Sequence, residues 1–327
     1  MYALSLYHRH CPNQGVSLTV VQQAARYLFR QAVQPIPGEH GTLAVWARPD
    51  IQNTTKPLQA KLDGAGAGLL ALLSLHRLAI VPLKYAQALG RFIVYMQEGE
   101  ESFYTRYVPL FGGKTELQSL QHYPMETVLG LIVLYEQDGD SLWLETACTI
   151  LNQVARHSQP MTMADVSPGT LSAIGRLFAL GAGSTMPISK SLLTTYALQI
   201  CDLLLSNQVS APRRSPYDGG LSKDGVVLPT AVWIEELLAT LTFLPTGDRR
   251  VGKIRDAVDR GVTFLLQAQI REGEWAGAIP RAVRPLRSRR GAADFNQRAT
   301  EVRIDQVQST LRTWLKYVAL VPMLDAA

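Results

Sequence analysis

The feature that most constrains the fold is a helical periodicity that returns along the chain in two alternating forms. Segments of the first form are rich in small and aliphatic residues all round: about 63–78 (DGAGAGLLALLSLHRL), 123–136, 168–180, 229–243 and 304–319. Segments of the second form, about 83–97, 140–157, 188–208 and 250–269, carry a single apolar stripe, as in Leu89, Phe92, Ile93 and Met96, or Leu144, Ala147, Cys148 and Leu151. A helix apolar all round is buried, whereas one with a single stripe lies outside and turns the stripe inward. The alternation therefore predicts an all-α fold of inner and outer helices joined as hairpins. Successive inner segments begin about 45–75 residues apart, the spacing of a hairpin plus a variable loop. A long helix over about 17–33 and a short β-like segment, Thr42–Arg48, precede them. The chain, 1–327, reads as one domain: an N-terminal helix and β-like extension over 1–60, then helical hairpins over 61–320.

Local chemistry agrees with this spacing. Proline stands near the first turn of three inner helices (Pro124, Pro168 and Pro229), where its missing N–H costs nothing. Asp138-Gly139-Asp140 reads as a tight link, with Gly139 suited to a left-handed cap and Asp140 to an N-cap. Stretches 98–122, 158–167, 209–228 and 270–303 all enter inner helices and read as long loops on one rim, a functional mouth.

Composition closes off other classes. Hydrophobic residues at 47 % against charged residues at 18 % exclude a disordered chain. No stretch approaches the roughly 18 apolar residues that span a bilayer, and the N-terminus lacks the pattern of a signal peptide. The expected location is the cytoplasm, where Cys11, Cys148 and Cys201, without a CxxC pair, read as reduced thiols. The histidines form no HExxH or clustered ligand set, so no metal is expected. Neither a P-loop nor GxGxxG occurs, so no cofactor is expected, and the small residues of DGAGAG (63–68) read as a place where helices pack closely. Arg281–Arg290 holds five arginines. It reads as solvated surface or as a site for an anionic polymer or acidic sugar, and no signal for specific nucleic-acid binding accompanies it.

The inner helices carry acidic residues that are costly to bury without a partner. Glu126, Glu235 and Asp305 are the candidate catalytic carboxylates, one as acid and another as base or nucleophile on a glycosidic bond. Asp63, Tyr104, Arg106, Tyr123, Asp218 and Arg303 are candidate substrate-binding residues, with Arg303 placed to pair with Asp305. Helix capping explains Asp63, Glu126 and Asp305 equally well, since each falls in a first turn where negative charge suits the dipole. The glycines of PYDGG (216–220) imply a sharp bend or a close approach.

Two resemblances follow from quoted residues. Arg260-Gly261-x-x-Phe264-Leu265-x-x-x-Gln269-x-x-x-Gly273-x-Trp275 resembles the QW motif of triterpene cyclases, which implies that Gln269 caps a helix end under the Trp275 ring. The cyclase DxDD motif is absent. Over about 60–320, the phrases AKLDGAGAGLLALL, LGRFIVYMQ, YPMETVLGLIVLYEQDGDSLWLETA, PTAVWIEEL and VRIDQVQSTL resemble an uncharacterised bacterial branch of the six-hairpin (α/α) toroids, relatives of glycosidases and epimerases. That resemblance implies an α/α toroid with short β-like segments in its loops, and a saccharide ligand. The chain departs from it where Trp233 stands for an Arg and Ser309 for a His, and it begins one inner helix late, leaving about five and an incomplete ring. The departures keep two functions in view: a glycoside hydrolase or epimerase-like enzyme, and a non-catalytic toroid that binds a homo-oligomeric or other protein partner or serves a polymer-synthesis complex. An isoprenoid-binding toroid is the third.

Overall fold

The computed structural model of the chain describes residues 2–11, 18–52, 55–157, 162–181, 189–212, 215–245, 247–286 and 292–325. Residues 287–290 of the basic run lie outside the described residues. Contacts gather into two compact units, Met1–Ala197 and Leu198–Ala327. Among the described residues no helix is long and apolar enough to cross a membrane.

The first unit runs α1 (Tyr2–His10), α2 (Leu18–Gln31), β1 (Val33–Pro35), β2 (Leu43–Ala47), α3 (Pro49–Gln52), β3 (Gln59–Lys61), α4 (Leu62–Arg77), α5 (Leu83–Tyr95), β4 (Gln97–Glu98), β5 (Ser102–Val108), β6 (Gly113–Ser119), α6 (Met125–Asp138), α7 (Ser141–His157) and α8 (Thr170–Ala179). Helices α4, α6 and α8 are the inner ones and pack side by side, with α5 and α7 outside them. α4 buries Leu62, Ala65, Leu69, Leu72, Leu73 and Leu75, whereas α5 buries Leu89, Phe92 and Ile93 of the anticipated stripe together with the small residues Ala86, Ala88 and Gly90. Each fully buried leucine contributes about 1.5–3 kcal/mol of transfer free energy.

Contacts along the chain show that the inner helices run parallel. A Cβ on Gly66 of α4 would lie 2.6 Å from the Thr127 nitrogen of α6, and one on Gly130 of α6 would lie 2.9 Å from Leu69. The glycines of DGAGAG thus serve helix packing. Gly169, just before α8, has φ +95°, and a Cβ there would lie 2.9 Å from the Glu126 nitrogen. Gly139 ends α6 at φ 73°, and Asp140 accepts from the Leu142 N–H at 3.1 Å, as the DGD link implied.

Two parts of this unit differ from the sequence reading. The stretch 98–122, read as a loop, contains the β5–β6 hairpin. β6 (GKTELQS) is mostly exposed and has no apolar alternation to reveal it. The hairpin joins an antiparallel sheet in the order β1-β2-β3-β5-β4, with β6 on β5. Helix α1 was not anticipated either, because nine residues buried only at Ala3 and Ser5 give little periodic signal. It packs on α4.

Helix α9 (Lys190–Asn207) crosses the division between the units. The second unit continues with α10 (Val227–Leu241), α11 (Arg250–Ala268), α12 (Ala292–Gln297) and α13 (Ile304–Asp325). Inner helices α10 and α13 pack together, and α11 lies against both. Val227, Ala231, Phe264, Leu265, Ala268 and Ile279 form a core, with Val307 and Trp314 of α13 against it. The stretch before α13 is a strap. Arg281 accepts from the Val227 N–H at 3.0 Å and donates to Glu301 at 2.8 Å, while Ala282 donates to Ala299 at 3.0 Å. These bonds lace it across the N-terminal ends of α10 and α13.

The close approach at Gly66 gives a test. Gly66→Ala pushes a methyl into the α6 backbone and is expected to lower stability by about 1–3 kcal/mol in chemical denaturation. Gly64→Ala, which meets nothing within 4 Å, should leave stability unchanged or raise it by roughly 0.5–1 kcal/mol through helix propensity.

Candidate functional site

Parallel inner helices place their N-terminal ends together within each unit. Asp63, Glu126 and Asp305 are each the second residue of an inner helix: α4, α6 and α13 respectively. At that position a carboxylate faces unpaired backbone N–H groups and the positive end of the helix dipole.

In the first unit Glu126 is half-buried, and Asp63, one turn before Gly66, is exposed. Asp63 accepts from the Gly64 N–H at 2.7 Å. The Glu126 backbone is hemmed by Gly66 on one side and Gly169 on the other, and Ser167 Oγ accepts from the Met125 N–H at 3.1 Å. The hairpin borders this rim because β3 leads straight into α4 and pairs with β5, Lys61 opposite Arg106. Arg106 pairs with Glu116 at 3.0 Å, and Thr105 Oγ1 donates to the same carboxylate at 2.9 Å. Glu116 is held at φ 61°, a left-handed conformation that costs a non-glycine residue about 1–3 kcal/mol. The Tyr104 ring lies 5.3 Å from Lys114 Nζ. Tyr123 is 1 % exposed, with its ring edge-on to Phe103 at 4.7 Å. Burial pushes its hydroxyl up to about 12. Tyr123 therefore supports the rim from beneath.

In the second unit Arg303 and Asp305 come together as the sequence implied, Nη2 to Oδ2 at 3.1 Å. Asp305 also accepts from the Gln306 N–H at 3.0 Å, and Gln306 Oε1 accepts from the Arg303 N–H at 3.1 Å. This is one half of a capping box. Glu235 lies deeper, between α10 and α13. It is 4 % exposed, with Arg312 at 2.8 Å and Lys316 at 2.5 Å. Burial pushes its carboxyl up, and the charges and hydrogen bonds of Arg312 and Lys316 more than reverse this, so it titrates below 4.5. The sequence reading did not include Arg312 and Lys316. Their signal was two basic residues four apart on an inner helix, facing a carboxylate that needed a partner.

Asp218 lines a cavity of about 420 Å³ with Ser210, Asp256, Asp259, Arg260 and Thr263. It pairs with Arg260 at 2.7 Å and accepts from the Ala211 N–H at 2.9 Å. Burial raises the Asp218 carboxyl, and Arg260 with the Ala211 N–H brings it below its usual range. Its neighbour Gly219 makes the close approach that the PYDGG turn implied: a Cβ there would lie 2.2 Å from the Arg260 carbonyl oxygen. Gln269 is the C-cap of α11 and donates through Nε2 to the Gly277 carbonyl at 3.0 Å, which pins the following turn. Trp275 in that turn is 62 % exposed. Burial pushes the Cys148 and Cys201 thiols up to about 12. Among the described residues no group of three His, Cys, Asp or Glu side chains is placed to hold a metal.

No family model matches the sequence, and no curated protein matches it. Solved structures do match the fold. A cellobiose 2-epimerase from Bacillus thermoamylovorans is 12 % identical with a TM-score of 0.65, covering 98 % of this chain and 86 % of that one. A GH76 α-mannanase of Bacteroides thetaiotaomicron is 12 % identical with a TM-score of 0.61 and the same coverage. An unsaturated glucuronyl hydrolase of Streptococcus agalactiae is 11 % identical with a TM-score of 0.53, covering 97 % of this chain and 78 % of that one. The chain shares with these neighbours, which are α/α toroids, a mostly helical fold with a small antiparallel sheet. Toroid neighbours of this kind are carbohydrate-active enzymes, and at these identities the likeness speaks for the fold alone.

The Glu235 clamp makes a pH prediction. A carboxylate with a depressed native pKa adds stability above its unfolded value, near 4.5, and that stability is lost as pH falls through the native value. Glu235→Gln strands two cations and is expected to cost about 3–5 kcal/mol at pH 7. Its stability should also fall less steeply than that of the wild type between pH 5 and pH 3, in urea titrations at each pH.

Proposed function

We propose that this protein is a carbohydrate-active toroid that binds a saccharide at the N-terminal ends of its inner helices and acts on it through rim carboxylates. The observation that carries this reading is the recurrence of a carboxylate at the second position of α4, α6 and α13 in a fold whose solved neighbours include a sugar epimerase, an α-mannanase and a glucuronyl hydrolase.

Glu126 is the acid–base candidate. It is half-buried, and Gly66 and Gly169 hold its backbone in place, which meets the positional demand of proton transfer. Asp63, the Arg106–Glu116 pair and Tyr104 supply donors, acceptors and a ring edge for sugar hydroxyls on the same rim. In the second unit Asp305, paired with Arg303, suits hydrogen bonding to sugar hydroxyls. Glu235 in this scheme is a positioning carboxylate, since its two cations fix the register of α10 against α13. The reaction class is hydrolysis of a glycosidic bond or epimerisation of a reducing sugar.

A second reading has its own observation. Asp305 is engaged by Arg303 and a backbone N–H, and Ile304 beside it is 82 % exposed. A toroid that binds a saccharide or a protein partner without turnover would use the rim in this state.

Incubation with a broad glycan panel, with products separated by size and by epimer, decides between them. Turnover should appear on at least one saccharide, and Glu126→Gln should lower it by about 10²–10⁴-fold with unchanged thermal unfolding. Binding without turnover across the panel would favour the second reading, and neither binding nor turnover would remove both saccharide readings.

A further inference from the structure

The three carboxylate-bearing inner helices begin in different ways. α4 and α13 cap themselves: Asp63 accepts from the Gly64 N–H at 2.7 Å and Asp305 from the Gln306 N–H at 3.0 Å. α6 follows Pro124, which brings no side-chain cap. Its first N–H belongs to Met125, a residue only 1 % exposed, and a buried donor without an acceptor is costly. The acceptor comes from a segment 42 positions along the chain: Ser167 Oγ takes that N–H at 3.1 Å.

The turn that carries Ser167 is fitted to the same two residues of α6. Two positions on, Gly169 lies against the peptide that joins Met125 to Glu126. An added Cβ there would stand 3.0 Å from the Met125 carbonyl carbon and 2.9 Å from the Glu126 nitrogen. Its φ of +95° also favours glycine. The turn is well anchored. Val166 and Thr170 on either side are buried, Thr170 Oγ1 donates to the Ser167 carbonyl at 2.6 Å, and the Ala173 N–H of α8 donates to the Gly169 carbonyl at 2.8 Å. From α4, Gly66 meets the next peptide, Glu126–Thr127. An ordinary cap needs only an acceptor. Here an acceptor and a missing side chain converge on the backbone that carries Glu126.

We propose that Ser167 is a positioning residue for Glu126: its hydroxyl anchors the first turn of α6 to the turn before α8, and Gly169 lets the two come close enough for that bond to form. This role rests on Glu126 as the acid–base group of the rim. Proton transfer tolerates little error in where the carboxylate stands, and a displacement of about 1 Å costs on the order of 10²-fold in rate. Without the Ser167 acceptor the Met125 N–H has to find water, which it reaches only by fraying the turn that carries Glu126. Substrate contacts elsewhere on the rim, such as the Arg106–Glu116 pair of the hairpin, do not pass through this turn, so the effect falls on kcat rather than on KM.

Ser167→Ala, Ser167→Thr and Gly130→Ala in the full chain test this. Gly130→Ala is the control, since its methyl meets Leu69 in the middle of α6 and strains the helix without reaching its first turn. Amide exchange followed by mass spectrometry reads the turn itself. Ser167→Ala should speed exchange in a peptide covering the start of α6 by about fivefold, the loss of one cap, and Ser167→Thr, which keeps the hydroxyl, should not. On a saccharide that the wild type turns over, Ser167→Ala should lower kcat about tenfold and leave KM within about twofold. Ser167→Thr should restore kcat, and Gly130→Ala should keep it. The proposal is overturned, with the rim reading intact, if the wild type is active and Ser167→Ala matches it, or if Gly130→Ala loses as much kcat as Ser167→Ala does. If the wild type turns over no saccharide, the acid–base reading of Glu126 fails and the proposal falls with it, even where the exchange difference is seen.

Discussion

The closeness of the inner helices is the constraint on which the rest of this structure rests. At Gly66 and Gly169 the α6 backbone meets its neighbours with no room for a side chain. That contact sets α4, α6 and α8 parallel and in fixed register. Parallel register puts the N-terminal ends of α4, α6 and α8 on one rim and their C-terminal ends on the other. The rims then inherit opposite chemistry from the helix dipoles: carboxylates at Asp63 and Glu126, and guanidinium groups at Arg77 and Arg176.

Carboxylates inside the helix layer do a different job. Glu136 and Glu235 each sit on an inner helix and hold two cations from neighbouring helices: Arg77 and Arg176 in the first unit, Arg312 and Lys316 in the second. Removing such a charge from water costs several kcal/mol; hydrogen bonds from Arg312 and Lys316 offset that cost for Glu235, and those from Arg176 do so for Glu136. The pairs add little net stability over an apolar contact. They do fix which helix neighbours which, since any slip of register would strand a buried charge. Glu235 and Glu126 are the same residue type on the same class of helix, yet one is clamped by cations and the other lies at a rim hemmed by glycines.

The alternation of helix types was legible because burial follows periodicity directly, and the inner and outer segments fall where their spacing put them. The β5–β6 hairpin was not legible, since β6 turns polar residues to both faces and its pairing partner is what defines it. Helix α1 escaped for a related reason: it packs on α4 through small residues rather than an apolar stripe. The Arg303–Asp305 pair was visible as a two-residue spacing, whereas the partners of Glu235 lie 77 and 81 positions away, a separation that local pattern does not encode.

The sequence by itself determined the hairpin repeat, the small residues that let helices close on one another, and the acidic first turns of inner helices. These follow from local periodicity, steric bulk and helix-end electrostatics, which act within a few residues. Only the tertiary structure decided which carboxylates are buried with cations and which stand at a rim, because desolvation depends on what other segments bring alongside. It also decided how Glu136 is shared, since Arg176 takes both carboxylate oxygens and Arg77 stands 3.7 Å from one of them.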